Sequence, residues 1–199
     1  DNGIFVTYIR TRNENYTAQT WRLLWSRDNG KSFKVLYEST NATNPPPLET
    51  DEENNLYLVW PDLTLSTLSN TDVRSSSYDR NANSYFMIFR ATDNYSKPVA
   101  TPIGDSAGDK VCLIYDKRRK QFYYFSNNGT FHVLDKHGKV THSAHIIRKI
   151  GELDSLQYPH LSVDDRGAIH AAWTTELLGE HHYFTVQYMR TDDVGYTWK

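Results

Sequence analysis

Short runs of alternating apolar and polar residues, each following a polar turn, recur along this chain of 199 residues. Clear examples lie at residues 4–8, 56–60 and 169–173, and a looser copy lies at 121–125. Alternation with a period of two predicts strands with one buried face, and the Asn, Asp and Gly residues before them favour tight hairpin turns. The pattern therefore predicts antiparallel β-structure. The full set of predicted strands covers residues 4–8, 21–26, 34–38, 48–50, 56–60, 85–91, 111–116, 121–125, 130–135, 140–144, 160–164, 169–173 and 185–190.

An eight-residue motif occurs twice, at residues 26–33 and 191–198. It reads hydroxyl, any residue, Asp, any residue, Gly, any residue, hydroxyl, aromatic. Its defining residues are Ser26, Asp28, Gly30 and Phe33 in the first copy and Thr191, Asp193, Gly195 and Trp198 in the second. A decayed copy at 92–96 lacks the glycine and the aromatic. The spacing of this motif and that of the strand pattern both indicate three periods of about 55 residues.

Repeats of this kind with about four short strands each are typical of β-propeller blades. The eight-residue motif resembles the Asp-box, or BNR repeat, of the sialidase superfamily. The resemblance implies an all-β fold, a β-propeller of four-stranded antiparallel blades that is incomplete, with about three to four blades in this chain. The expected blades are 1–40, 41–103, 104–150 and 151–199. We expect the remainder of the propeller from a longer chain or from partner chains, because six such blades would need about 330 residues.

Composition excludes several other classes of protein. The net charge of -2 argues against a nucleic-acid partner, and the chain lacks an apolar run long enough for membrane insertion. The single Cys112 excludes a disulfide framework within the chain and a cysteine zinc site. We expect no cofactor. We also expect no metal, since the adjacent side chains of His181 and His182 would face opposite ways on a strand and could not bind one ion together. Four glycosylation sequons, at Asn15, Asn41, Asn94 and Asn128, are compatible with a secreted or extracellular protein, the periplasm included.

The candidate binding residues lie on one predicted face of the blades. The turn between the first two strands of a blade and the Asp-box share one face, whereas the longer connections lie on the opposite face, where binding residues usually occur. Candidates on that substrate face are Arg10, Arg12, Asp62, Arg74, Arg80, Tyr158, His160, Glu176, His181 and Tyr183. Glu, His and Tyr side chains can act as acids, bases or stacking groups for a sugar. The Asp-box residues themselves are predicted to be structural.

The sialidase resemblance implies three arginines that bind a substrate carboxylate, an Asp acid/base and a Tyr–Glu nucleophile pair. This chain lacks an Arg-Ile-Pro-like segment before its first motif copy, and none of its arginines lies in a recognisable triad context. Propeller lyases with similar repeats place a His where this chain has Leu156. Despite these departures, the function that the resemblance implies is that of a sialidase-like propeller that acts on glycans as a glycoside hydrolase. A non-catalytic glycan- or protein-binding propeller and a polysaccharide lyase with a His/Tyr acid-base pair stay open, and so does the question of whether the chain is an enzyme.

Overall fold

The computed structural model describes residues 3–11, 19–40, 44–61, 83–106, 110–147, 154–177 and 183–199, and these form four antiparallel sheets. Sheet 1 contains β1 (Ile4–Thr11), β2 (Gln19–Ser26) and β3 (Lys34–Thr40). Sheet 2 contains β4 (Leu48–Thr50), β5 (Leu56–Pro61), β6 (Asn83–Phe89) and β7 (Val99–Ser106). Sheet 3 contains β8 (Val111–Asp116), β9 (Gln121–Ser126), β10 (Thr130–Leu134) and β11 (Val140–His145). Sheet 4 contains β12 (Asp154–Val163), β13 (Ile169–Leu177) and β14 (Tyr183–Thr191).

Within each sheet, strands that are neighbours in the chain are also neighbours in space. Every strand that the alternation predicts is present, and most extend beyond the predicted bounds. The pattern did not predict β7, whose sequence contains Pro102 and Gly104 and lacks a clean alternation. The predicted strand at 85–91 ends instead at Phe89, and a short 3₁₀ turn, Ala91–Asp93, follows it.

Three apolar layers hold the four sheets together in chain order. Trp21 and Leu23 of sheet 1 pack with Phe89 of sheet 2. The next layer joins Phe86 of sheet 2 to Phe122 of sheet 3, with ring centroids 5.1 Å apart. The third layer joins sheets 3 and 4. Each sheet therefore packs face to face on the next one, as successive blades of a propeller do.

The connections divide between two faces of the molecule. The turns after β4, β8 and β12 and the two motif turns lie on what we call the turn face. The last residues of β5, β9 and β13 lie at the opposite side, which we call the loop face. The first motif copy joins β2 to β3, whereas the second follows the third strand of sheet 4. The strands of sheet 1 therefore correspond to the second, third and fourth strands of the other sheets.

The two motif copies form the same turn, bond for bond. In the first copy, Ser26 Oγ donates to Asp28 Oδ1 at 2.7 Å and Ser32 Oγ donates to Asp28 Oδ2 at 2.6 Å. In the second copy, Thr191 Oγ1 donates to Asp193 Oδ1 at 2.7 Å and Thr197 Oγ1 donates to Asp193 Oδ2 at 2.6 Å. The same residue types at the same spacing therefore produce one geometry in two different sheets.

The aromatic residues that end the motif lie in unlike surroundings. Trp198 packs against Phe131 of the preceding sheet with ring centroids 5.0 Å apart. Phe33, the equivalent aromatic of the first copy, is instead 44% exposed. In the decayed copy at 92–96, for which the sequence predicts no motif aromatic, Tyr95 takes this role: its ring centroid lies 4.9 Å from those of Phe5 and Trp25 in the preceding sheet.

Candidate functional site

An unusual backbone conformation marks the first strand of sheet 4 on the side of the loop face. The pairing of β12 with β13 is interrupted by a β-bulge between Gln157 and His160. At this bulge Tyr158 has a φ of 52° and its side chain is 54% exposed. The left-handed region costs a non-glycine residue about 1–3 kcal/mol, and such strain is concentrated at functional sites. The bulge turns an aromatic ring out of the sheet at the innermost strand.

Lys110, which precedes the first strand of sheet 3, covers this ring. Its Nζ atom lies 4.6 Å from the Tyr158 ring centroid, and its ammonium also donates to Gln157 Oε1. Gln157 is buried, and its backbone carbonyl accepts a hydrogen bond from Thr174 Oγ1 at 3.2 Å. The contacts across two sheets therefore fix both the cation and the ring. Within the part of the chain that the structure describes, Lys110 forms no salt bridge with a carboxylate.

A buried carboxyl group lies close to this bulge on the neighbouring strand. Glu176 is buried and stands opposite Ser155 in the register of β13 with β12. Two positions along the same ladder, Thr174 stands opposite Gln157. Glu176 therefore places an acidic group in the same end of sheet 4 as Tyr158.

A second feature of the loop face is an aromatic cluster between sheets 1 and 2. The ring of Trp21 lies 5.1 Å from that of Tyr37 and 5.8 Å from that of Trp60, and Trp60 lies 5.9 Å from Tyr85. The indole nitrogens of Trp21 and Trp60 are buried and find no acceptor among the described residues. Clusters that combine apolar ring faces with polar hydrogen-bond donors are suited to binding sugars.

Glu49 is a candidate that sequence reasoning missed. It lies on β4, the first strand of sheet 2, where burial raises the pKa of its carboxyl to about 7. The backbone N–H of Tyr115 donates to this carboxylate and the charge of Lys117 favours ionisation, but both effects are smaller than desolvation. A carboxylic acid that is partly protonated near neutral pH can serve as a general acid. The sequence shows only a glutamate within a predicted strand of three residues, and a strand that short does not indicate which of its side chains are buried.

The predicted candidates are divided among several parts of the molecule. Tyr158 and Glu176 share one end of sheet 4, whereas His160 lies beyond the bulge and stands opposite Ala172. Arg10 is exposed near the end of β1 in sheet 1. Tyr183 begins β14, and its side chain lies outside what the structure describes. Arg12, Asp62, Arg74, Arg80 and His181 lie outside the described residues.

Two further properties bear on the chemistry. The described residues contain no group of three or more His, Cys, Asp or Glu side chains arranged to hold a metal ion. Burial raises the pKa of the Cys112 thiol to about 11, so this cysteine stays protonated and is a poor nucleophile at neutral pH.

Among the described residues, no helix has the length and apolar character needed to cross a bilayer.

The chain matches no family model and no curated protein sequence. It is similar in structure to the α-L-arabinanase of Penicillium chrysogenum complexed with arabinobiose, with 12% identity, a TM-score of 0.53, and coverage of 87% of this chain and 55% of that one. A protein of unknown function from Dyadobacter fermentans is similar over 99% of this chain and 64% of its own length, with 13% identity and a TM-score of 0.58. The GH93 α-L-arabinofuranosidase of Fusarium graminearum with arabinobiose shares 9% identity over 87% of this chain and 55% of its own length, with a TM-score of 0.52. The chain thus spans less than two thirds of these structures, and the similarity confirms the predicted fold, an incomplete all-β propeller.

Proposed function

We propose that this chain is part of a β-propeller that acts on glycans as a glycoside hydrolase. The observation that carries the proposal is the strained, exposed Tyr158, which is held beneath Lys110 on the innermost strand of sheet 4. An aromatic ring offers its face to the C–H groups of a sugar, while neighbouring polar groups bind the hydroxyls. Strain of this kind is retained where the surrounding contacts enforce it and the exposed group has a use.

Most glycoside hydrolases use two carboxyl groups, one of them able to donate a proton. Glu49 has the raised pKa that suits a general acid, and Glu176 is the buried carboxyl nearest to Tyr158 along the strands described above. We assign Glu176 as the candidate carboxyl beside Tyr158. Glu49 stands opposite Tyr57, the second residue of β5, whereas Glu176 is the eighth residue of β13, so the two lie near opposite ends of different sheets and do not form one pair. The arabinobiose complexes of two structural neighbours support a glycan ligand for a propeller of this shape.

A sialidase-like specificity is the finer form of this proposal. It is supported by the identical bonding of the two motif turns and by their match to the Asp-box pattern. Sialidase-like specificity requires cationic side chains that bind the carboxylate of the substrate. Lys110 is a candidate for this role in addition to the predicted arginines. Sialidase-like action also fits an exported protein, and we propose an extracellular location.

Two other functions have specific observations in their favour. The half-buried rings of Tyr37, Trp60 and Tyr85, which pack around the fully buried Trp21, favour a propeller that binds glycans without catalysis. A lyase would need a His/Tyr pair, and His170 Nδ1 lies 2.6 Å from the Tyr188 hydroxyl. That pair lies on the outward face of sheet 4, away from the bulge, and Leu156 occupies the position expected for the lyase imidazole.

The test is to incubate the 199-residue chain with arabinobiose, sialyllactose and a uronic acid polymer, and to measure binding by calorimetry and product release by chromatography. Release of arabinose or sialic acid supports hydrolysis, whereas unsaturated uronide products would indicate a lyase. Binding without release would favour the non-catalytic alternative, and absence of both would overturn the proposal. Tyr158→Ala should lower glycan affinity about tenfold or more, while Tyr196→Ala is the matched control, because Tyr196 is an exposed tyrosine on the turn face.

A further inference from the structure

Two of the three junctions between neighbouring sheets share one kind of contact. Phe86, on the third strand of sheet 2, packs on Gly138 in the turn of sheet 3, and a β-carbon on that glycine would stand 2.5 Å from the ring. Phe131, on the third strand of sheet 3, packs on Gly195 of sheet 4 with the same 2.5 Å separation. Two of the three junctions therefore seat an aromatic ring on a glycine of the next sheet.

Sheet 1 exposes the glycine side of such a junction. A β-carbon on Gly30 would meet only Ile4 and Phe33 of its own sheet, at 3.6 and 4.0 Å. Val6 and Val35 flank Leu24 in the register of the three strands and continue this surface. We call Ile4, Val6, Gly30, Phe33 and Val35 the sheet 1 face. Its four apolar side chains are exposed.

Sheet 4 exposes the aromatic side. Phe131 lies seven residues before Gly138, and Tyr188 lies seven residues before Gly195, so Tyr188 occupies the equivalent position on the third strand. Tyr188 is 57% exposed, and Val186 on the same side of β14 is 75% exposed. We call Val186 and Tyr188, together with Ala172 on the neighbouring strand β13, the sheet 4 face.

Three pairs of ionisable groups beside the two faces lie within their own sheets. Arg22 Nε lies 2.7 Å from Glu38 Oε2 in sheet 1. In sheet 4, Arg190 lies 2.6 Å from Asp192, and His170 lies 3.3 Å from Asp164. Covering either face would therefore bury apolar side chains without leaving one of these charges unpaired, which is the main penalty of such an interface.

We propose that the two faces bind each other between two copies of this chain, head to tail, with the partner subunit's Tyr188 seated on Gly30. The junctions of sheet 2 with sheet 3 and of sheet 3 with sheet 4 supply the geometry, since each places an aromatic at this position on a glycine of the next sheet. Because the two faces differ, the contact is heterologous, and one free face remains at each end unless the assembly closes. The proposal does not depend on the glycan-related function.

Light scattering coupled to size exclusion tests the proposal on the 199-residue chain. The wild-type chain should have a mass above that of one copy, increasing with concentration. Val35→Glu and Val186→Glu should each produce a single-copy mass, because each destroys one of the two faces in every copy. A mixture of the two variants should form a dimer, because it restores one intact pair of faces. The matched control is Val99→Glu, since Val99 is 49% exposed on β7 and Val35 is 45% exposed on β3.

Other outcomes would overturn the proposal. A wild-type chain that stays monomeric, a loss of association in only one of the two face variants, or a mixed sample that stays monomeric would each do so, as would an equal loss in Val99→Glu. Circular dichroism and thermal unfolding establish that each variant is folded. Val6→Glu and Tyr188→Glu are the second pair should either first variant fail to fold.

Discussion

Phe131 lies against Gly195 so closely that a β-carbon on the glycine would stand 2.5 Å from the ring. Gly195→Ala should therefore destabilise the fold through both backbone strain at a φ of 93° and overpacking. Gly30→Ala has a similar φ of 85° and no neighbour nearer than 3.6 Å, so it carries the strain alone. We expect Gly195→Ala to lower the free energy of unfolding by about 1–3 kcal/mol more than Gly30→Ala, measured by urea denaturation.

Gly138→Ala provides the control for this comparison. Its β-carbon would meet Phe86 at 2.5 Å, so its effect should resemble that of Gly195→Ala. Equal effects of all three substitutions would show that backbone conformation alone matters and that the aromatic-on-glycine contact contributes nothing. The comparison should be made at concentrations low enough to exclude association through the sheet 1 face.

The motif aspartates should make the fold sensitive to strong acid. Hydrogen bonds from the Thr197 side chain, the Thr197 backbone and the Thr191 side chain lower the pKa of Asp193 to about 2. The corresponding bonds from Ser32 and Ser26 do the same for Asp28. A carboxyl whose pKa is lowered by folding contributes stability that is present above its unfolded value near 3.8 and is lost as the pH falls through about 2.

In Asp193→Asn, the unfolding temperature should therefore decrease less than in the wild type when the pH is lowered from neutral to strongly acidic. At neutral pH the variant should already unfold at a lower temperature than the wild type, because the asparagine amide cannot accept the same three hydrogen bonds. Asp28→Asn is the matched variant in an identical turn. If the wild type and both variants lost stability in parallel below pH 4, the stabilising role of these carboxylates would be wrong.

The fold was predictable because its local signals agree with each other. Alternation, turn residues and the repeated motif located nearly all the strands. The motif turns have the same bonding because two hydroxyls and one backbone N–H donate to the aspartate carboxylate in each copy. The edge strand β7 was missed, since Pro102 and Gly104 interrupt its pattern and its pairing with β6 depends on contacts made elsewhere in the sheet. Local propensity cannot reveal a strand that tertiary pairing imposes.

The candidate site was predictable only in part. Tyr158 and Glu176 were identified from residue type and position, but neither the bulge nor the left-handed φ of Tyr158 has a sequence signal, because they arise from the register of β12 with β13. Lys110 and Glu49 were missed for the same reason. Their importance lies in contacts with residues of another sheet, and no spacing along the chain encodes such contacts.

Glu49 should make stability decline as the pH rises. Burial raises the pKa of its carboxyl from 4.5 to about 7, so folding favours the protonated form. Its contribution is fully present below the unfolded value of 4.5 and is lost as the pH increases through about 7. Glu49→Gln should therefore become more stable relative to the wild type by about 1–3 kcal/mol between pH 5 and pH 8, measured by urea denaturation at each pH.

The control for this prediction is Glu52→Gln, an exposed glutamate in the turn that follows the same strand. Subtracting the wild-type profile removes the contribution of histidines, which titrate in the same range. A difference between Glu49→Gln and the wild type that stays constant from pH 5 to pH 8 would mean that the Glu49 carboxyl is not desolvated by folding.

Tyr158 should be more important for ligand binding than for stability. Its φ of 52° disfavours tyrosine, so Tyr158→Gly removes strain while it loses the ring contact with Lys110. Because relief of a left-handed conformation and loss of a cation–π contact are each worth about 1 kcal/mol, the net change in stability should lie within about 1 kcal/mol. Glycan affinity should decrease about tenfold or more, since the stacking surface is gone. Tyr158→Phe keeps the ring and should retain most of the affinity. A Tyr158→Gly variant that binds glycan like the wild type, or that loses stability far beyond this range, would assign the bulge to folding instead of recognition.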